Sequence, residues 1–158
     1  MTLRKLSLAL AISLAAGLLF TNIYTSMVDA RNWGANIPAS IQTTRNYFKA
    51  ANPGTFFRIF SPANQVVTLL ALVLCWRIGK KARIYCAIAL ICAIGADMFT
   101  FAYFYPRNDI LFKLPIPPDL DALKTTWAQW TTMNWLRSLI CAIVLVFDFL
   151  AFDLVGGK

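Results

Sequence analysis

Asp97 and Arg137 are the residues of this chain best suited to proton chemistry away from water. A carboxylate can take a proton from a substrate, and a guanidinium can hold the negative charge that results. Both lie in apolar runs, Asp97 in "CAIGADMFTFAYF" and Arg137 in "NWLRSLICAIVLVFDFL". An ionisable side chain at the centre of a bilayer costs about 2.5–3.5 kcal/mol on insertion scales, so it turns toward other helices and finds partners there. Polar candidates stand in neighbouring apolar runs: Asn22, Asn64 with Thr68 one turn on, and Asn134 three residues before Arg137. Taken in steps of three and four, Trp127, Trp130, Asn134, Arg137, Cys141, Leu145 and Asp148 share one helical stripe.

These residues need elements to position them, and composition says which kind. Of 158 residues, 59% are hydrophobic and only 14% charged, whereas soluble domains carry about 25% charged residues. With a mean hydropathy of +0.61, the chain reads as a membrane protein of one compact domain, residues 1–158. Its net charge of +8 comes from scattered basic residues or from residues beside apolar runs. No basic stripe alternates with aromatics, so nucleic acid is not an expected partner. The chain has no histidine. That excludes His-ligated haem, His-rich di-iron sites and any Ser–His or Cys–His pair, and no metal or organic cofactor is expected. Cys75, Cys86, Cys92 and Cys141 lie in apolar segments without a CxxC, and read as small buried hydrophobes.

A spanning helix needs about 20 mostly apolar residues. Four stretches qualify, at residues 6–27, 62–77, 84–105 and 134–155. The expected fold is all-α, a four-helix transmembrane bundle with short extracytoplasmic helices in the two long outer loops. Arg4 and Lys5 ahead of the first run also resemble a signal peptide, but the run continues to Met27, longer than a signal core. Ala9, Ser13 and Gly17 offer a small-residue stripe for close packing of that span. The basic hairpin "RIGKKAR", with Arg4 and Lys5, marks the cytoplasmic side. Both termini are then cytoplasmic in a cell (inner) membrane, and the connections 29–61 and 106–134 lie outside.

The outer segments carry their own signals. Ser40 is a candidate N-cap and "NPG" a stop, which predicts a helix over Ile41–Ala51. "KLPIPPD" is expected to be extended. Asp119 can cap a helix that meets no breaker before Val155, so one long helix is expected from the outer face through the membrane. Asp153 near its inner end is within reach of water or Lys158.

With this topology Asp97 lies in the outer half of the third span with Phe101 and Phe104 on its face. Asn64 and Gln65 open the second span, and Thr21, Asn22 and Thr25 close the first. All four helices thus place polar groups at similar depth, and an Arg137–Asp97 ion pair is expected, since the guanidinium fork satisfies several acceptors. Two readings stay open. The groups fix helix register, or they floor an outward-facing pocket in which Asp97 and Arg137 are catalytic and Asn22, Asn64, Thr68, Trp127, Trp130 and Asn134 bind the ligand. Many aromatics nearby belong to the interfacial belt, yet Trp127 and Trp130 share the Arg137 stripe, and an aromatic wall over a small polar floor suits a flat apolar ligand. Asp148 lies deeper, without an obvious basic partner.

The segments "SPANQVVTLL" and "WAQWTTMNWLRSLI", through Asn64, Trp127, Asn134 and Arg137, resemble the anthrone-oxygenase-like family of small four-span membrane proteins. The resemblance implies a four-helix membrane bundle and, from some fungal members, cofactor-independent oxidation of polycyclic anthrones. The expected function is binding of a hydrophobic or quinone-like small molecule, with oxygenase-like turnover. The alternative is a non-catalytic accessory or lipid-binding subunit, whose partners would be the lipid bilayer, a larger membrane complex or a homo-oligomer. Transport is weaker, because no internal repeat or broken helix pair is visible.

Overall fold

The computed structural model describes residues 2–156. It is built of helices, with no strand among the described residues. The first span, α1 (Leu3–Tyr24), runs through a π-helical turn (Thr25–Asp29) into α2 (Ala30–Gly34). A short α3 (Ala39–Tyr47) follows, then α4 (Pro53–Cys75), and α5 (Lys80–Phe99), which continues through a second π-turn (Thr100–Phe104) into α6 (Tyr105–Phe112). The last helix, α7 (Leu120–Gly156), is unbroken. Four of these runs are long and apolar enough to cross a membrane: Leu3–Gly34, Pro53–Cys75, Lys80–Phe112 and Leu120–Val155. The chain is a multi-pass helical membrane bundle.

Three of the spans extend well beyond their expected bounds on the loop side. The second begins at Pro53, not Pro62, because "NPG" starts a helix instead of stopping one. The Asn52 backbone N–H donates to Thr55 Oγ1 at 3.4 Å, and Pro53 occupies the first turn, where a missing N–H costs nothing. Pro62 then sits inside α4, as bundled transmembrane helices tolerate. The helix expected over Ile41–Ala51 is Ala39–Tyr47. Ser40 is not its cap: its hydroxyl donates to the Trp33 carbonyl at 2.6 Å, tying α3 back to α2. Asp119 does cap α7, accepting from the Asp121 N–H at 2.9 Å, and residues 115–117 before it are irregular. Asp153 is exposed, and its suggested partner Lys158 lies outside the described residues.

Each span has a buried seam with alternating steps of three and four. On α7 it is Leu123, Trp130, Asn134, Arg137, Cys141, Val144, Asp148, Ala151 and Val155, the 3.5-residue period of left-handed bundle packing. Val144, not Leu145, carries the stripe here. On α1 it is Leu8, Ala11, Ala15, Leu18 and Asn22. The expected stripe of Ala9, Ser13 and Gly17 is not the packing face, since Ser13 and Gly17 are exposed and no atom would meet a side chain at Gly17 within 4 Å. Large apolar residues such as Val66, Ile91, Leu139 and Phe149 point outward, where acyl chains solvate them. Leu8, Cys75, Cys86 and Ala151 share one cluster, so the start of α1, the end of α4, the start of α5 and the end of α7 meet at one end of the bundle, here the hairpin end. The opposite end is the loop end.

The two π-turns break the 3–4 phase. On α5 the seam Ala82, Cys86, Ala89, Ala93 and Ala96 would continue through residues 100 and 103. The wide turn inserts one residue, so Phe104 is buried in place of residue 103, while Phe101, expected on the face of Asp97, is 59% exposed. Pro106 in the first turn of α6 supplies a cause: its ring would clash with the carbonyl four residues back in a regular helix, and the widened turn relieves that. On α1 the same one-residue advance buries Ala30 and Trp33.

Around the bundle, α7 packs against α1 and α5, and α4 packs against the same two, leaving α4 and α7 diagonal. At the loop end a second core gathers Ala30, Trp33, Ile41, Phe104, Leu111, Leu123 and Trp130. Arg45 of α3 holds it to α6 by donating from Nε to the Leu111 carbonyl at 2.9 Å and from a terminal nitrogen to the Ile110 carbonyl at 3.2 Å, cationic capping of a helix C-terminus. The Trp127 indole N–H donates to the Ala30 carbonyl at 2.7 Å, and its ring lies where a Gly34 side chain would be.

Gly34 is therefore required by the Trp127 ring. Gly34→Ala is expected to destabilise the protein by about 1–3 kcal/mol, the usual cost of overpacking, read as a lowered melting temperature in detergent. In a Trp127→Ala background the same substitution should cost almost nothing. Equal costs in both backgrounds would refute the contact.

Candidate functional site

The diagonal gap between α4 and α7 is where the bundle is not filled. Ala15 of α1 and Ala93 and Ala96 of α5 are short, so the gap between the two diagonal helices stays open as a cavity of about 40 Å³. Its polar lining comes from every span: Asn22 of α1, Ser61 and Asn64 of α4, Asp97 and Thr100 of the third span, and Arg137 of α7. Phe57, Leu18, Cys141 and Val144 complete the wall. A single water needs about 10–15 Å³ by this kind of measure, so the cavity admits a small polar group and no fused ring.

Arg137 is 7% exposed. One terminal nitrogen donates to Asn134 Oδ1 at 2.6 Å, the other to Thr100 Oγ1 at 3.4 Å. The guanidinium carbon lies 4.3 Å from the Phe104 ring centre and 5.1 Å from that of Phe57, with Trp130 at 6.0 Å. Ring faces are electronegative and weakly hydrated, so they suit a buried guanidinium. Asn134 is itself held, donating to Ser26 Oγ at 2.6 Å and to the Asn22 carbonyl at 3.1 Å. Those acceptors lie at the junction of α1 with its π-turn, and Thr100 and Phe104 are the ends of the other π-turn. The widened turns of both neighbours thus meet the Asn134–Arg137 segment of α7.

The expected Arg137–Asp97 ion pair does not form: among the described residues the only ion pairs are Asp109–Lys113 and Asp121–Lys124. Asp97 flanks the buried seam of α5 on the side of α4. There Ser61 donates to one carboxylate oxygen at 2.6 Å and Gln65 Nε2 to the other at 2.6 Å. Cation and carboxylate line the same cavity while each is served by neutral partners. Three buried polar atoms around that cavity have no hydrogen-bond partner: Arg137 Nε, Asn22 Oδ1 and Asn64 Oδ1. One free donor and two free acceptors thus belong to residues that line the cavity.

The structure brings Asn22, Asn64, Asp97 and Arg137 into one lining and places Asn134 directly behind Arg137. Trp130 lies over the guanidinium with its indole N–H donated to Asn108 Oδ1 at 2.8 Å. Thr68 is fully buried one turn deeper than Asn64, outside the lining. Trp127 belongs to the loop-end core and does not line the cavity. On the side where the pocket was expected to open, buried Trp33, Phe104 and Trp130 stack edge to face at 5.0 and 5.4 Å. Sequence reasoning missed Phe57, Ser61 and Thr100 as lining residues. The Ser61–Gln65 pair, spaced i, i+4 around Asn64, was the available signal for the partners of Asp97. Asp148 is fully buried two turns beyond Cys141, with neither oxygen hydrogen-bonded, and it is not part of this lining. Among the described residues no three of His, Cys, Asp and Glu converge to hold a metal ion.

No curated protein sequence and no solved structure matches this chain. The sequence model described as anthrone oxygenase matches residues 56–147. The matched stretch runs from the α4 wall of the cavity through Asp97 and Thr100 to Arg137, Cys141 and Val144, and it covers more than half of the chain. On that match, the chain belongs to the anthrone oxygenase family.

Proposed function

We propose that the cavity binds the polar edge of a hydrophobic, phenolic or quinone-like molecule, and that the protein oxidises it with dioxygen without a cofactor. The observation that carries this reading is the set of unsatisfied groups, Arg137 Nε with Asn22 and Asn64 Oδ1, on residues that line a small space together with Asp97. A carbonyl or phenolic oxygen there would complete the guanidinium's donors, and its OH form would serve an amide acceptor. The rings of such a ligand would lie against Phe57 and toward the bilayer, where a hydrophobic molecule is already concentrated.

The chemistry follows from the two charged residues. Asp97, fixed by Ser61 and Gln65, takes the proton from an activated ring methylene that is conjugated with the bound carbonyl through the flanking rings. Arg137 holds the negative charge that moves onto the oxygen, and its aromatic surroundings keep water from weakening that interaction. The electron-rich carbon then reduces dioxygen and bonds to it, and the proton returns to give a hydroperoxide. Loss of water leaves a new carbonyl: one oxygen atom stays on the ring and the other leaves as water, so methylene plus dioxygen gives ketone plus water. The family name points to an anthrone as such a substrate, and the Asp97–Arg137 arrangement supports a carbon acid of that class. The basic hairpin supports a cytoplasmic hairpin end and a cell (inner) membrane.

Two substitutions separate this chemistry from packing. Arg137→Met should lower oxygen consumption with an anthrone by about 10²–10³-fold, and Asp97→Asn by about 10²–10⁴-fold. Both proteins should still elute as monodisperse bundles in detergent. Unchanged turnover in either folded variant would remove the mechanism. Ala96→Leu, which fills the cavity without touching either charge, should abolish retention of the substrate; full retention would place the site elsewhere.

A further inference from the structure

The hairpin end carries a second concavity that the proposed chemistry does not use. Arg4 of α1 and Arg77 after α4 line a groove of about 400 Å³ with Val73, Leu74 and Trp76. Its apolar wall continues directly into the lipid-facing surface, where Val73 is 61% and Trp76 54% exposed. The Arg83 guanidinium lies 4.8 Å from the Trp76 ring centre on the following hairpin. Lys5, Lys80 and Lys81 add three more positive charges at the same end. The helices starting at Leu3 and Lys80 both begin here, so their positive dipole ends reinforce the field.

Charge balance separates this end from the other. At the loop end Asp109 pairs with Lys113 and Asp121 with Lys124, at 2.7 and 3.4 Å. At the hairpin end, among the described residues, neither Arg4 nor Arg77 has a carboxylate within ion-pair distance, and Asp153 near the end of α7 is exposed and unpaired. Two arginines beside an apolar wall at the level of a tryptophan match a phospholipid, with headgroup phosphate between guanidiniums and acyl chain along Val73 and Leu74.

We propose that this groove is a binding site for an anionic phospholipid of the leaflet that faces the hairpin end. Its phosphate is held by Arg4 and Arg77, and its chain lies along the α4 surface. The proposal is independent of the cavity chemistry.

Native mass spectrometry of the full chain in mild detergent tests it, with phosphatidylglycerol or phosphatidylcholine added at equal concentration. Phosphatidylglycerol should be retained over phosphatidylcholine, and each of Arg4→Gln and Arg77→Gln should reduce that preference by about fivefold. Lys113→Gln at the loop end should leave it unchanged. Equal retention of the two lipids by the unaltered protein overturns the proposal, a result that needs no variant to fold. So does an unchanged preference in both arginine variants. Displacement of phosphatidylglycerol by millimolar inorganic phosphate would overturn it as well, since it would identify a soluble anion and not a lipid as the occupant.

Discussion

The burial of one guanidinium without a carboxylate partner organises the loop half of this bundle. A cation there must be compensated, and the chain compensates it with dipoles and ring faces: Asn134 and Thr100 accept from it, and Phe104 and Phe57 flank it. Each of those groups has to come from a different part of the chain at one depth. That requirement accounts for the two π-turns meeting α7 at the same level. A regular third span would present residue 103 where Phe104 is needed, and a regular first span would not bring Ala30 and Trp33 to the seam. Arg137 is thus less a guest in the packing than the residue to which the packing is registered.

The neutrality of its shell has a chemical consequence. Had Asp97 paired directly with Arg137, the two charges would have cancelled and left nothing for a ligand. Ser61 and Gln65 instead occupy the carboxylate from the α4 side, and Asn134 occupies the guanidinium from behind. Both residues still line the same small space. Neutral hydrogen-bond partners thus hold the carboxylate and the guanidinium apart within it. The alanines at positions 15, 93 and 96 complete the arrangement, because any larger side chain at those seam positions would fill the gap between the diagonal helices.

Much of this was legible in the sequence, and the failures have physical causes. The four spans, the long unbroken last helix with its Asp119 cap, and the shared interior stripe through Asn134, Arg137 and Asp148 follow from hydropathy and 3–4 spacing alone. The family resemblance, carried by Asn64, Trp127, Asn134 and Arg137, agrees with the matched stretch 56–147. Span boundaries at the loop end failed because proline was read as a stop at Pro53, where it begins a helix, and because helices continuing into a capped aromatic layer carry no hydropathy signal. Phe101 and Phe104 are both expected on the face of Asp97, and only Phe104 is buried. Asp97 flanks the seam of α5, so its face does not mark the buried one, and the residue inserted before Pro106 brings Phe104 to the seam. The small-residue stripe of α1 failed differently: Ala9, Ser13 and Gly17 have the right spacing, but Leu8, Ala11 and Ala15 offer an equally spaced face that also carries Asn22 to the cavity.

The expected ion pair was the most instructive miss. Depth matching correctly put Asp97 and Arg137 at one level, but depth does not fix azimuth. Ala93 and Ala96 hold the seam of α5, and Asp97, one residue on, is rotated toward α4 and into reach of Ser61 and Gln65. A one-residue offset on a helix turns a side chain by about 100°, enough to change its partner from a cation to two neutral donors. Opposite charges at one depth in a small bundle therefore need not neutralise each other. Where the seam between them is built from alanine, the same two charges bound an interior space that a polar ligand group can enter.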